Sequence, residues 1–472
     1  MNEPLHERVE REDLVTFVNA CFAATGQREH HEAPESAVSL GFLHAYILGN
    51  YRRLYARILG SGINHFSAAE IIVRLLAAGA PEDPGDRREE GELIRAALAK
   101  LPPQRALRLL ARLRRLRVNN RRARAVARDY LAGRRAPAFD AVKYRKKVRA
   151  IAVHAHLRLS DERAQFLFRG WKQRRYATPL FEAFRAAHFS ESAIYQLPFS
   201  IAEGFAERAG LDRDRFLRRA RPSMTAVELA RLESSASRAG LAWDADLGRL
   251  ELTKLSLRIL ALPLESRRAQ AERLEAALDQ AVKRILGRTP KRLDRVAAVL
   301  DRSYSASGSE EKRRRPLGVA LAAHRLLGAC AKRYSAHWTH PVERDLLLTA
   351  RGATDLATPL LAALRTEPEL VVIVSDGYEN APPLGAAEVA RVFRARLDPE
   401  HRTSIVHVNP ALALGGHAPK GLGPAIPTVG VRGAEDLLTA LGFARFADGS
   451  EPLRALERHL AAGARALVNG ES

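Results

Sequence analysis

Apolar side chains recur every three or four positions through residues 1–289, and the positions between them are charged or small. That period predicts helix after helix. Ser67 followed by Glu70, ahead of Ile71, Ile72, Leu75 and Leu76, has capping-box spacing, and Thr225 with Glu228 repeats it. Residues 79–91 (GAPEDPGDRREEG) mix Pro, Gly and acids, so a polar connection is expected there. Further helices are expected over 93–117, 121–131, 141–155, 161–175, 176–188, 227–239 and 266–286. No fixed repeat period is visible, which points to irregular HEAT-like helix pairs, arranged as a bundle or a solenoid.

From Pro290 onward the texture changes. Short runs rich in Val and Ile at 295–300, 369–374, 404–408 and 426–431 read as strands, with shorter ones at 334–338 and 346–348. Helical stretches at 317–332, 355–364, 386–397 and 433–441 lie between them. Unbroken apolarity in ELVVIV marks a central parallel strand covered on both faces. The expected fold is therefore multidomain: an all-α HEAT-like helical domain over 1–289, then an α/β doubly wound, Rossmann-type domain over 290–472.

Length and composition narrow the class. At 472 residues the chain exceeds one ordinary domain, and 46% hydrophobic with 28% charged residues excludes wholesale disorder. Cys21 and Cys330 are the only cysteines, the first residues mix acids with bases where an export signal would be apolar, and no charge-free apolar stretch reaches membrane-spanning length. A soluble, cytoplasmic, monomeric protein is expected. The charge is the first anomaly: 76 Lys+Arg against 54 Asp+Glu give +22, which favours polyanionic partners. Residues 1–289 carry +18 of it and 290–472 only +4. Because 65 of the bases are Arg, genome composition could contribute, so clustering carries more weight than the total.

Where the first strand of the second region ends, Asp301, Ser303 and Ser305 stand at alternate positions. Thr354 lies before a later helix, and Asp376 ends the most apolar strand. In doubly wound folds ligands bind at the carboxyl ends of strands. Five oxygen side chains without His or thiolate suit a hard cation, and the small direct set suits Mg²⁺. This pattern resembles the metal-ion-dependent adhesion site of von Willebrand factor A domains over residues 290 to about 445. The resemblance implies that Ser303, Ser305 and Thr354 touch the metal directly. Asp301 and Asp376 would act through its water shell, with an acidic group of a partner completing the coordination. A departure is the basic insert Lys312 to Arg315, expected to alter access to the site.

Residues 105–149 hold 17 Lys+Arg and two acids, Asp129 and Asp140. Ordinary surfaces intersperse both signs, so the imbalance argues for an external polyanion. Arg121, Arg122, Arg124, Lys143, Arg145, Lys146, Lys147 and Arg149 are the expected backbone contacts to nucleic acid. Tyr130, Phe139, Tyr144, Trp171 and Tyr176 are interleaved with the bases or lie just after them, where core packing competes with base stacking. The stretch from Arg117 to Leu131, followed by Phe139-Asp140-Ala141-Val142-Lys143-Tyr144-Arg145, is similar to the basic-helix region of TROVE domains, found in the Ro autoantigen family. That resemblance implies a ring of HEAT-like repeats joined to a von Willebrand factor A domain. It also implies binding of small non-coding and misfolded RNA.

Other signals carry less. His30 with His31 and His154 with His156 lack ligand partners at suitable spacing, the glycine-rich GGHAPKGLG at 415–423 lacks the Ser or Thr of a phosphate loop, and the serines of 303–309 have no evident His. A non-enzyme is expected: a Ro-like RNA-binding protein whose α/β domain holds Mg²⁺ for docking an acidic protein partner. The rival reading is an interaction scaffold without RNA, for example the partner of an AAA+ chaperone. A metal-dependent hydrolase is a third, and would require turnover abolished by Asp301→Ala.

Overall fold

The computed structural model describes residues 4–23, 34–225, 227–229, 232, 246–287, 293–309, 312–411, 419–447 and 451–470. Its first part is helical. Its second part holds a five-stranded, all-parallel sheet with flanking helices: β1 (Leu293–Leu300), β2 (Ala331–Trp338), β3 (Leu370–Val374), β4 (Ser404–Asn409) and β5 (Thr428–Gly430), in the order β2-β1-β3-β4-β5. Strand order reverses between β1 and β3, which pair in register from Val296 with Leu370 to Leu300 with Val374. A crevice at the carboxyl ends of these two strands is where such sheets bind ligands. Ala297, Val299, Val371, Ile373 and Ile405 bury one face under Leu356, Leu360, Ala363, Ala386 and Ala390 of the connecting helices. Residues 296–300 of β1 and 371–374 of β3 are buried, which explains why those stretches lack polar alternation.

The chain divides into two compact units along other lines than the cut expected at 289/290: residues 1–68 with 247–472, and residues 69–246. The α/β unit thus includes helices from before its strands. Leu5–Ala23 lies against β5: Asn19 donates to the Thr428 carbonyl at 3.0 Å, and a Cβ on Gly430 would fall 2.5 Å from the Asn19 carbonyl oxygen. Leu252–Ala261 joins the same unit through Thr253, whose hydroxyl donates to Glu435 at 2.7 Å.

Several local expectations are corrected. Residues 79–91 are not merely a connection: Asp83 accepts from the Asp86 N–H at 2.7 Å, and a helix runs over Pro84–Lys100. A strong N-cap with Pro at the first position outweighs the loop-like composition. The helix expected over 93–117 is two, broken at Pro102 and Pro103, the second being Pro103–Arg115. That over 141–155 is also two, Pro137–Lys143 and Arg145–His154, and that over 161–175 ends at Arg169. Asn64, rather than Ser67, caps the helix His65–Ala77, accepting from the Phe66 and Ser67 N–H groups. The Thr225 capping box is present in both directions, at 2.9 and 3.3 Å. Residues 346–348 form no strand; a 3-10 turn covers Asp345–Leu347. The helix Leu453–Asn469 was not anticipated. The helix expected over 227–239 and the pair His30 and His31 fall mostly or wholly outside the described residues.

Candidate functional site

Two sites merit description, one in each unit. In the α/β unit, β1 ends at Leu300 and β3 at Val374, so Asp301 and Asp376 leave neighbouring strands side by side. Asp301 Oδ1 accepts the Ser303 N–H at 2.8 Å, folding the loop so that the Ser303 and Ser305 hydroxyls lie 3.1 Å apart. The Tyr304 N–H donates to the Gly352 carbonyl at 3.0 Å and brings in the loop that carries Thr354. Asn380 then ties that loop to the one after β3, its Oδ1 accepting the Thr354 N–H at 2.8 Å. All five oxygen-bearing residues therefore arrive from three loops stitched together at one end of the sheet. Asp301, Ser303, Thr354 and Asp376 are buried and Ser305 is exposed, which sets a single open side.

The electrostatics of this cluster suit a cation. Asp301 Oδ2 is buried and has no hydrogen-bond partner among the described residues. Burial, with a further contribution from the Asp376 carboxylate, pushes the Asp301 carboxyl up to about 6 against the opposing Ser303 hydrogen bond. Two close carboxylates and three hydroxyls form a hard-oxygen set of the kind that magnesium accepts. The residues present thus fit a divalent ion.

Several supporting residues escaped the sequence reading because they reach across the chain. Arg302, between two of the site residues, turns inward and donates to the carbonyls of Pro341 (2.7 Å) and Thr349 (2.9 Å). Asn409 holds the Asp376 carbonyl at 3.1 Å. His407 is fully buried between the hydroxyls of Ser375 (2.9 Å) and Thr428 (3.1 Å), and burial lowers its imidazole to about 4. This Ser–His contact pins the strand end beneath Asp376. The insert Lys312 to Arg315 does not simply overhang: Lys312 and Arg315 are buried, and Arg315 donates to the Arg432 carbonyl at 3.1 Å.

In the other unit the basic segment separates into two populations. Helix Pro103–Arg115 buries Ala106, Leu107, Leu109, Leu110 and Leu113, while Arg145–His154 buries Val148, Ile151 and Ala152. With those stripes packed, the basic sides of both helices border one groove of about 860 Å³ lined by Arg108, Ala111, Arg114, Arg115, Lys146, Lys147 and Ala150. None of its five cations pairs with a carboxylate among the described residues. Burial, together with the nearby Arg108, holds the Lys147 ammonium below its usual range. Like charges crowded in this way favour an incoming anion.

Of the eight expected contacts, the groove gathers Lys146 and Lys147. Arg122 is instead committed internally, to buried Glu90 at 2.6 Å and the Gly79 carbonyl at 3.2 Å. Arg145 donates to the Phe166 carbonyl at 3.1 Å. Arg121, Arg124 and Arg149 are exposed, Arg149 lying 5.0 Å over the Phe168 ring, and Lys143 stands 5.3 Å over Phe139. Elsewhere in the segment Arg112 pairs with Glu70, and Arg134 holds buried Asp140 at 2.5 Å. His154 approaches the Val118 carbonyl at 2.8 Å, a structural contact. The groove residues Arg108, Arg114 and Arg115 were missed as contacts, since only packing decides which Arg of a basic helix meets an acid. Replacing Arg134 with Ala is expected to cost about 3 kcal/mol, because it strands a buried carboxylate. Arg121→Ala at an exposed position should stay within about 0.5 kcal/mol. Urea denaturation of the two variants checks the contrast.

No protein-family model and no curated protein matches the chain. Among the described residues no helix is long and apolar enough to cross a membrane.

Proposed function

We propose that this is an RNA-binding protein of the Ro-like kind, in which the helical unit grips structured RNA and the α/β unit holds Mg²⁺ for docking an acidic protein partner. The observation that carries the reading is the groove between Pro103–Arg115 and Arg145–His154. Its five cations face one space and have no carboxylate partner among the described residues. Arg and Lys in that setting neutralise backbone phosphates without reading bases, so selectivity has to come from RNA shape and unpaired regions. On the second unit, Asp301, Ser303, Ser305, Thr354 and Asp376 would hold the ion. Bound there, it would supply a positive charge only partly neutralised by its ligands, able to attract a carboxylate. The protein's own contribution is to hold those oxygens in place through Arg302, Asn380 and Asn409 and to keep four of the five away from solvent. A HEAT-like repeat architecture and a von Willebrand factor A character for the two units belong to the same reading.

Titration of a structured small RNA across salt tests it. Five phosphate contacts give a slope of log affinity on log salt near −4.5, or a roughly 500-fold loss between 50 and 200 mM. Salt-independent or absent binding would sink the RNA reading. Recovery of a protein partner without RNA would favour the scaffold alternative, a chaperone of the AAA+ class among the possible partners.

A further inference from the structure

The segment 169–175 (RGWKQRR) lies just beyond the helix Asp161–Arg169 and was absorbed by neither site. A 3-10 turn over Gly170–Lys172 presents Trp171 outward, 41% exposed, and Phe189, 67% exposed, stands beside it with ring centroids 6.0 Å apart. His188 supports the indole from behind at 5.1 Å and 30°. The turn is held from two sides. Gly170 has φ +60°, its carbonyl accepts the Tyr176 hydroxyl at 2.6 Å, and a Cβ there would lie 2.6 Å from the Arg145 guanidinium. Arg145, itself fixed to the Phe166 carbonyl, therefore acts as a positioning residue for the turn.

In the same segment Arg169, Lys172, Arg174 and Arg175 are exposed and form no ion pair among the described residues, while Arg185, paired with Glu182, lies 5.9 Å over the Phe189 ring. The nearby acid Glu182 is held below its usual range chiefly by its hydrogen bond from Arg185, with Arg175 a lesser influence. Two exposed aromatic rings beside a run of exposed cations match a ligand that carries flat rings on a polyanionic backbone. A duplex hides its base faces, whereas a single strand offers them, and stacking on an aromatic side chain is tolerant of sequence.

We propose that Trp171 and Phe189 form a stacking platform for unpaired bases of single-stranded RNA, separate from the phosphate-binding groove. This rests on the RNA-binding reading above. The test uses the full chain with two fluorescent probes, a short oligo(U) strand and a blunt RNA duplex. Trp171→Ala is expected to weaken oligo(U) binding about 5- to 150-fold. Duplex affinity and the salt slope should stay unchanged, and Trp171→Phe should restore most of the loss. Phe189→Ala, at a more exposed position, should act in the same direction, and thermal melting of each variant should match the parent. Oligo(U) should quench tryptophan fluorescence in the parent, and that quenching should shrink in Trp171→Phe. If duplex binds normally and Trp171→Ala leaves oligo(U) affinity within about twofold, the platform is refuted while the RNA reading stands. If neither probe binds the parent, both fall. Loss of binding to phosphatidylserine vesicles in Trp171→Ala, with oligo(U) binding intact, would assign the surface to a membrane and overturn the proposal.

Discussion

Replacing Arg115, Lys146 and Lys147 together by Ala is expected to flatten the salt dependence of binding to a structured RNA by about 2.7 in slope, since each phosphate contact contributes roughly 0.9. At physiological ionic strength the same change should lower affinity roughly 100-fold. All three side chains border the groove, while the residues that pack its two helices, Leu109, Leu110, Leu113, Val148 and Ile151, are untouched. Fold and melting temperature should therefore survive. Arg122→Ala provides the opposite pattern: it removes the guanidinium from buried Glu90, so stability should fall while the salt slope stays put. Fluorescence anisotropy at four or more salt concentrations reads both. An unchanged slope in the triple variant would remove the groove from the RNA interface.

Magnesium should raise the melting temperature, and Asp301→Asn should abolish the rise. At a concentration about 100 times its dissociation constant, a ligand of the native state adds about 2.7 kcal/mol. For the unit of residues 1–68 and 247–472 that corresponds to roughly 4 °C. The variant's behaviour without metal is the more telling half. Asp301 is a buried carboxylate with one oxygen lacking a hydrogen bond among the described residues and a second carboxylate, Asp376, close by. Removing its charge relieves that repulsion, so in a chelator Asp301→Asn should melt at or above the parent temperature. In excess magnesium the order should reverse. Differential scanning fluorimetry in both conditions measures the crossing, and a parent indifferent to magnesium would discard the metal site.

The strands of the α/β unit and the loop that carries its candidate site were largely legible because their signals are local. Alternating Asp301, Ser303 and Ser305 occupy one loop, and the runs VVIV and IVHV declare buried strands without reference to anything distant. What holds the loops together was not legible. Arg302 reaches carbonyls 39 and 47 residues ahead, and Asn380 reaches back 26 residues, contacts that no spacing rule anticipates. The helical part went the other way: element type was recovered, but boundaries slipped where Pro was given too little weight. At Pro84 it opens a helix behind the Asp83 cap, and at Pro102 and Pro103 it separates two.

The sequence alone determined that the chain has a helical region, that a parallel sheet follows it, and that cations crowd residues 105–149, because helical period, apolar runs and composition are properties of neighbours along the chain. Tertiary structure alone decided which of those cations are available. Arg112, Arg122 and Arg134 meet Glu70, Glu90 and Asp140, whereas Arg108, Arg114, Arg115, Lys146 and Lys147 share a groove. A helix dictates which face a side chain occupies. Whether a carboxylate stands opposite depends on the helix packed beside it, and through Coulomb attraction over a few ångströms that neighbour determines whether a charge is spent internally or kept for a ligand.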